Sequence, residues 1–210
     1  MEKSGKHLII LVICIAAVIL TLIFLTQNTS DNTNYLTKTF SKSNITFDYP
    51  ESWQDYTEKA NKNNIDKCLV DVGDPTTAIN TSLPTTALIV TKTEDTVNST
   101  GGFTHPEGFM SEKLIESWVN TTKVGNISPN YLNIQIKTKN FTLNGLKAYE
   151  FTYTGFHTTN QKYEYMRLVA FEKRYPHKEV NYAIMCAAMT SNIEETKTVF
   201  NKIINTFKVQ

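Results

Sequence analysis

The feature that most constrains this chain is an unbroken apolar run near its start, LIILVICIAAVILTLIFL, from Leu8 to Leu25. Its eighteen residues include no charged side chain. As a helix they would extend roughly 27 Å, close to the thickness of a bilayer's hydrocarbon core. A cleaved secretory signal is the alternative, but the run is long for one and no A-x-A cleavage pattern follows it. We therefore predict an uncleaved transmembrane helix at residues 8–25.

The flanks of this run predict its orientation. Lys3 and Lys6 precede it, whereas residues 26–34 are polar and carry no Lys or Arg. Because basic flanks are retained in the cytoplasm, we expect residues 1–7 to be cytoplasmic and the C-terminal part to lie outside the cell membrane. Residues 26–34 are typical of a flexible linker. Residues 35–210 have the length of one ordinary domain.

The outer part carries no charge excess that would recruit nucleic acid or anionic lipid. The whole chain has 21 Lys plus Arg and 20 Asp plus Glu, and without Glu2, Lys3 and Lys6 the two signs are equal in number. Nucleic-acid binding draws most of its affinity from basic contacts to phosphates, and binding to anionic lipid also requires a basic cluster. We therefore expect no nucleic-acid partner.

Alternating apolar and polar residues predict several β-strands, the first over residues 45–49. Asn144-Gly145, which lies between Ile134 and Thr154, is the strongest hairpin-turn signal. Residues 182–189 read YAIMCAAM and are apolar at both odd and even positions, so side chains on both faces of the strand are apolar. This pattern predicts a central strand covered on both faces. Further strands are predicted over residues 87–90, 149–153 and 163–173.

Two amphipathic helices are predicted to cover the sheet. The first is marked by a helical stripe of four apolar residues, Leu114, Ile115, Trp118 and Val119. Ser111 is the candidate N-cap of this helix. The second helix is predicted by an apolar stripe over residues 199–207, and Ser191 and Glu194 ahead of it have the spacing of a capping box. Hairpin-linked strands with late helices predict an α+β fold around an antiparallel sheet.

Two cysteines, Cys68 and Cys186, lie in the predicted domain, each within an apolar run. Buried free thiols are one interpretation, since Cys is among the most buried residue types. A disulfide between them is the other, because such a bond would persist outside the cell. The sequence leaves both open, since it does not give the separation of the two Cα atoms.

The histidines show no metal-ligand spacing. His157 and His177 flank the predicted strand at 163–173, whose ends would lie roughly 33 Å apart, too far to share one ion. His105 precedes Pro106 near a helix start. We interpret all three as solvated loop residues.

Motifs of catalysis are absent too, including G-x-S-x-G, H-E-x-x-H, C-x-x-C and the P-loop. The sequence therefore predicts no catalytic residue, no cofactor and no metal site.

Two sets of charged residues leave more than one interpretation. Asp66, Asp71 and Asp74 have a spacing that would reach a hard cation such as calcium. They fit no EF-hand pattern, and Asp-Val-Gly-Asp-Pro is more typical of a strand that ends in a turn. Arg167 and Glu164 interrupt an apolar strand, where they form either a buried pair or an exposed edge.

Short motifs at both ends of the predicted domain resemble PsbP-like domains. The opening F-x-Y-P-x-x-W motif is carried by Phe47, Tyr49, Pro50 and Trp53. The closing helix resembles the family's F-x-x-I-x-x-S-F pattern at Phe200, Ile203, Ile204 and Phe207. Thr206 replaces the family's usual Ser. The resemblance covers about residues 35–208. For Trp53 we expect a core aromatic rather than a ligand platform.

The resemblance implies an antiparallel sheet sandwiched between helices and a noncatalytic accessory or assembly role. Membrane-anchored relatives with Asn- and Thr-rich sequences occur in methanogenic archaea, and this chain resembles them. We therefore expect a membrane-anchored, extracytoplasmic binding module that acts on an unknown protein partner. We expect its affinity to come from an exposed apolar patch near the loops around Gly101 and His157. A small envelope enzyme of the hydrolase class, and a ligand or ion sensor for a membrane partner, are the alternatives.

Overall fold

The computed structural model describes residues 37–62, 68–78, 83–96, 103, 105–125 and 130–210. Residues Thr37–Gln210 form one compact unit. The predicted transmembrane helix at residues 8–25 and the linker that follows it lie outside the described residues. Among the helices that are described, none is long and apolar enough to cross a membrane.

The described residues form strands, three α-helices and one short 3₁₀ turn, which we label in chain order. The strands are β1 (Thr37–Lys42), β2 (Ile45–Pro50), β3 (Gln54–Asp55), β4 (Cys68–Gly73), β5 (Ala87–Thr96), β6 (Tyr131–Leu143), β7 (Leu146–His157), β8 (Lys162–Tyr175), β9 (Lys178–Thr190) and β10 (Lys208–Val209). The helices are α1 (Thr57–Lys62), α2 (Phe109–Gly125) and α3 (Ile193–Thr206), and the 3₁₀ turn is Pro75–Thr77.

The main sheet is antiparallel, as predicted, with seven strands in the order β3-β4-β5-β9-β8-β7-β6. The hairpin of β6 and β7 follows the sequence signal. Asn144 and Gly145 both adopt positive φ, 49° and 84°, at the two-residue turn between β6 and β7. That backbone matches the twist of the flanking strands, and Asn-Gly adopts it readily. The strand predicted to be central, β9, lies between β5 and β8.

One face of the main sheet is closed by α3 and by a separate small sheet of order β1-β2-β10. The prediction that residues 45–49 form a strand is confirmed, but β2 belongs to this second sheet, not to the main one. Aromatic and aliphatic side chains fill the layer between them, among them Phe47, Leu88, Phe171, Ile184, Phe200, Ile203, Ile204 and Phe207. Burial of this apolar area is the main source of the fold's stability.

A buried ion pair also joins α3 to this face. The Arg167 guanidinium donates from Nε and Nη2 to Glu150 Oε2 at 2.9 and 2.6 Å, and from Nη1 to Asn201 Oδ1 on α3 at 2.5 Å. The partner of Arg167 is thus Glu150 and not Glu164. Residues 164 and 167 differ by an odd number, so their side chains leave the strand on opposite faces.

The cap of α3 lies one residue later than predicted. Asn192 Oδ1 accepts a hydrogen bond from the Glu195 backbone N–H at 3.2 Å, and Asn192 Nδ2 donates to the Glu195 carboxylate at 2.9 Å. The predicted box at Ser191 and Glu194 was therefore wrong by one position. Asn is as effective an N-cap as Ser, so the sequence offered two equivalent registers.

The second face of the main sheet carries α2, which packs mainly over β7 and β8. Ile115 and Trp118 of the predicted stripe lie against Phe151 and Leu168. This face is less completely covered. Burial alternates along β9, where the side chains facing α3 are buried and those facing α2 are only partly buried. The prediction that both faces of β9 are closed was therefore wrong for the α2 side, because the helix lies over the neighbouring strands.

Candidate functional site

The start of α2 is fixed to the sheet by a buried carboxylate. Glu172 on β8 is 2% exposed. It accepts hydrogen bonds from the backbone N–H groups of Gly108 at 2.5 Å and Ser111 at 2.9 Å. A negative charge there satisfies amide groups that a helix start leaves unpaired. Glu172 is thus the capping group, and the prediction that Ser111 caps the helix was wrong. Ser111 lies within the first turn.

Gly108 makes this approach possible. Its φ of +85° is a conformation that L side chains rarely adopt. A Cβ atom at this position would also lie 2.9 Å from the hydroxyl of Tyr149. Both observations require glycine where the chain enters α2 close above the sheet.

A second buried carboxylate, Glu179 on β9, holds the segment before α2. His105 Nε2 lies 2.7 Å from Glu179 Oε1, and Arg174 Nε donates to Glu179 Oε2 at 2.6 Å. Arg174 Nη2 also donates to the His105 carbonyl at 2.8 Å, and its guanidinium lies 4.2 Å from the Phe103 ring centroid. The His105 side chain is only 14% exposed. Its interpretation as a solvated loop residue was therefore wrong.

His105, Glu172 and Glu179 are close enough together to offer three ligands to a metal ion. One ligand atom from each lies within 4.8 Å of the others. An imidazole and two carboxylates are ligands that divalent metals accept. The same groups already bind the chain itself, since Arg174 and His105 engage Glu179 and two amides engage Glu172. We interpret the cluster as an ion-pair and capping network that positions α2.

Beside α2, on the side of β5 and β9, lies a cleft of about 230 Å³ that we call the α2 cleft. Its lining residues are Thr91, Thr93, Met110, Ser111, Leu114, Ala170, Asn181, Tyr182 and Ala183. Two polar atoms of these residues, Ser111 Oγ and Asn181 Oδ1, are buried and have no hydrogen-bond partner among the described residues. Buried polar groups are normally paired, so these two atoms mark a place where a ligand would gain hydrogen bonds.

The α2 cleft continues into a strip of partly buried apolar side chains on β5 and β9, which we call the apolar strip: Ile89, Ala183, Met185 and Ala187. Two larger apolar side chains at the start of α2, Phe109 and Met110, are 39% and 40% exposed. An antiparallel sheet that faces water normally carries polar residues on that face. Here Thr91, Thr93 and Asn181 are polar, but the residues of the apolar strip beside them are not. A partly exposed apolar strip of this kind is typical of a surface that contacts another molecule.

A wider and more polar groove lies on the other side of α2. Its volume is about 500 Å³, and it is lined by Glu112, Ile115, Glu116, Val119, Asn120, Thr138, Asn140 and Tyr149. The carboxylates of this groove are on the exposed side of α2. No described His or Cys is among its lining residues.

Exposed apolar residues also occur near one of the loops where we expected recognition. Leu132 on β6 is 53% exposed and pairs in register with Phe156, next to His157 at the end of β7. The His157 ring packs edge-on against Tyr131 at 4.8 Å. The other predicted loop, around Gly101, lies outside the described residues.

The two cysteines are buried free thiols, so the alternative of a disulfide is excluded in this structure. Cys68 pairs with Thr91 on β5, and Cys186 pairs with Leu88 on the opposite side of the same strand. The two cysteines therefore lie on β4 and β9, with β5 between them, so they are separated by roughly 10 Å across the sheet. This separation is beyond the reach of a disulfide. Burial raises the pKa of the Cys68 thiol to about 11 and that of Cys186 to about 12. Both therefore stay protonated and unreactive at neutral pH.

Among the described residues, the acidic side chains near Cys68, Asp71 and Asp74, belong to no cluster of three potential metal ligands. Asp74 caps the 3₁₀ turn by accepting a hydrogen bond from the Thr76 N–H at 2.9 Å, which confirms the turn interpretation. Asp71 is fully buried, and neither of its carboxylate oxygens has a hydrogen-bond partner within the described residues. Burial, with a smaller contribution from Asp55, raises the pKa of Asp71 to about 6. Asp66 lies outside the described residues.

The family motif residues lie in the core on the α3 side. Trp53 is 4% exposed and packs edge-on against Phe200, with ring centroids 6.1 Å apart. Phe47 stacks on Phe207 at 5.6 Å. The remaining motif residues are Tyr49, Pro50, Ile203 and Ile204, of which the two isoleucines are fully buried. These residues close the fold, and none lines the α2 cleft.

The family model for PsbP-like protein matches residues 8–209 of the chain. The chain belongs to the PsbP-like protein family. A comparison with curated protein sequences returned no match. Among solved structures, cyanobacterial PsbP (CyanoP) from Synechocystis sp. PCC 6803 has 11% identity and a TM-score of 0.50, over 86% of this chain and 96% of that one. This similarity supports the fold alone.

Two further solved structures resemble the chain more weakly. LpqN, involved in cell envelope biogenesis of Mycobacterium tuberculosis, has 10% identity and a TM-score of 0.49, over 83% of this chain and 90% of that one. The Ran-binding protein Mog1p of Saccharomyces cerevisiae has 10% identity and a TM-score of 0.44, over 84% and 96% of the two chains.

Proposed function

We propose that this protein is a membrane-anchored, extracytoplasmic and noncatalytic binding module that acts through contacts with a protein partner. Anchoring and location rest on the apolar run at residues 8–25 and on the basic flank before it. The noncatalytic role is what membership of the PsbP-like family implies for this chain. In the described residues it is also supported by the buried, protonated thiols and by the contact of His105 Nε2 with the Glu179 carboxylate.

The observation that carries the proposal is the difference between the two faces of the main sheet. The face under α3 is closed by fully buried aromatic and aliphatic side chains. The face under α2 leaves the apolar strip partly exposed and Phe109 and Met110 about 40% exposed. Burial of such apolar area against a partner is favourable, at roughly 25 cal/mol per Å². We therefore infer that the partner binds the α2 side.

Site-specific photo-cross-linking in native membranes tests this proposal. Phe109 is replaced by p-benzoylphenylalanine, which keeps an aromatic side chain at the start of α2. The matched control carries the same group at Glu194, whose side chain is 77% exposed on α3. We expect one discrete cross-linked species from position 109 and none from position 194. Equal cross-linking from both positions, or cross-linking from position 194 alone, would contradict the proposal.

A further inference from the structure

The α2 cleft carries a more specific inference about the partner, which rests on the proposed function. We propose that the cleft receives one apolar side chain of the partner protein together with a backbone amide next to it. The inference combines three properties of the cleft: its unpaired polar atoms, its size, and its continuity with the apolar strip.

The two unpaired atoms of the cleft have complementary chemistry. Ser111 is 2% exposed, and its Oγ hydroxyl can donate as well as accept. Asn181 Nδ2 donates to Asp95 Oδ2 at 2.8 Å, which fixes the side-chain amide and leaves Oδ1 as a pure acceptor. A peptide group offers one N–H and one C=O. Its N–H would donate to Asn181 Oδ1, and its C=O would accept from the Ser111 hydroxyl.

A purely apolar ligand fits less well, because it would fill the cleft and leave both polar atoms unpaired. An anionic ligand fits poorly too. The Asp95 carboxylate lies next to Asn181, whose Nδ2 donates to it. This carboxylate would repel an acid. The cleft therefore favours a neutral amide that carries an apolar substituent.

Size and surroundings favour a residue of a protein over a free small molecule. The volume of about 230 Å³ is below the roughly 300–1,000 Å³ that is typical of cofactor and drug-sized sites. The cleft is not isolated, since Ala183 in its lining continues into Met185 and Ala187 of the apolar strip. Met110 at its edge has a flexible side chain that adapts to an inserted group. One residue would fill the cleft while the rest of the partner covers the strip.

Methionine-methyl NMR on the full-length protein in detergent micelles tests the inference. The chain has five methionines, and Met110 is the one that lines the cleft. Met189, at the far end of β9, is an internal control. The probe is N-acetyl-leucine N′-methylamide, a leucine residue with a peptide group on each side. We expect a saturable shift of the Met110 signal with a Kd of about 1 mM, the value typical for a ligand of this size.

Two comparisons separate the polar contribution from the apolar one. N-acetyl-glycine N′-methylamide lacks the side chain and should bind at least about fivefold more weakly. Ser111→Ala should weaken binding of the leucine probe by about fivefold, because the hydroxyl is lost while the backbone N–H that binds Glu172 remains. Ser191→Ala, at an exposed position before α3, is the matched control and should bind like the wild type.

An unchanged Met110 signal up to the solubility limit of the probe would overturn the inference, as would equal binding by Ser111→Ala and the wild type. These results are distinguishable from failure of the proposed function. Cross-linking from position 109 without a Met110 shift means that a partner binds the α2 side but not through the cleft. A Ser111-dependent shift without cross-linking means that the cleft binds an amide, but it contradicts the proposal that a partner protein binds the α2 side.

Discussion

Asp71 provides the most quantitative prediction, because the structure places an unpaired carboxylate in the interior. Its pKa is raised from the ordinary 3.8 to about 6, chiefly by burial and secondarily by Asp55. The folded protein thus binds this proton more tightly than the unfolded chain does. The contribution of Asp71 to stability is therefore most favourable below about pH 4, is lost as the pH rises to about 6, and does not change further above it.

The size of the effect follows from the two pKa values. A difference of about 2 corresponds to about 3 kcal/mol at neutral pH, since each unit of pKa is worth about 1.4 kcal/mol. Asp71→Asn removes the charge and keeps the shape, but it leaves a buried amide that also lacks partners. We therefore expect the free energy of unfolding to rise by about 1–3 kcal/mol at pH 8. In a domain of this size each kcal/mol raises Tm by roughly 2–4 °C.

Thermal unfolding of the full-length protein in detergent, followed by near-UV circular dichroism between pH 4 and pH 8, measures this effect. The Tm of Asp71→Asn should exceed that of the wild type at pH 8, and the two values should converge near pH 4. Asp74→Asn is the matched control, because Asn caps a turn as well as Asp does and its effect should stay within about 0.5 kcal/mol. Parallel Tm curves for Asp71→Asn and the wild type, or a less stable variant at pH 8, would refute the reasoning.

Three further predictions concern topology, packing and metal. Protease added to intact cells should digest the C-terminal domain and leave a tag at the N-terminus protected, and protection of the C-terminal domain would exclude the predicted orientation. Phe200→Ala and Ile203→Ala should each lower the free energy of unfolding by about 2–5 kcal/mol, because both side chains are fully buried, and unchanged denaturant midpoints would show that α3 is not packed as described. Chelation with EDTA should leave Tm unchanged, since Arg174 and backbone amides already satisfy Glu179 and Glu172, whereas a clear fall in Tm would identify a bound metal.

Local patterns in the sequence predicted much of the fold, because each of them acts over a few residues. Alternation marked β2 and β7, Asn144-Gly145 marked the turn of the β6–β7 hairpin, and the apolar stripe marked α3. Pairing partners were harder to predict. The period of residues 45–49 shows a strand but not which sheet it joins, and the structure assigns it to the small sheet with β10.

The polar network at the start of α2 could not be predicted in the same way. Glu172 and Glu179 belong to adjacent strands of one hairpin, but His105 lies more than sixty residues before them, and only the tertiary fold brings the three together. One signal was available and not used. Glu172 interrupts an apolar strand, and a charged residue at such a position is rarely buried unless it is paired. Likewise, residues 164 and 167 are three positions apart on one strand, so their side chains lie on opposite faces. This spacing would have excluded Glu164 as the partner of Arg167.

The central claim is that a partner protein binds the α2 side of the main sheet, and quantitative co-purification from native membranes tests it most directly. Tagged full-length wild type is compared with Met110→Asp, which places a charge at the edge of the α2 cleft, and with Ser191→Asp, a matched exposed position before α3. With Tm values matched, we predict that Met110→Asp reduces the co-purified partner at least about tenfold, while Ser191→Asp retains it. Wild-type recovery with Met110→Asp, or an equal loss in both variants, would contradict the account.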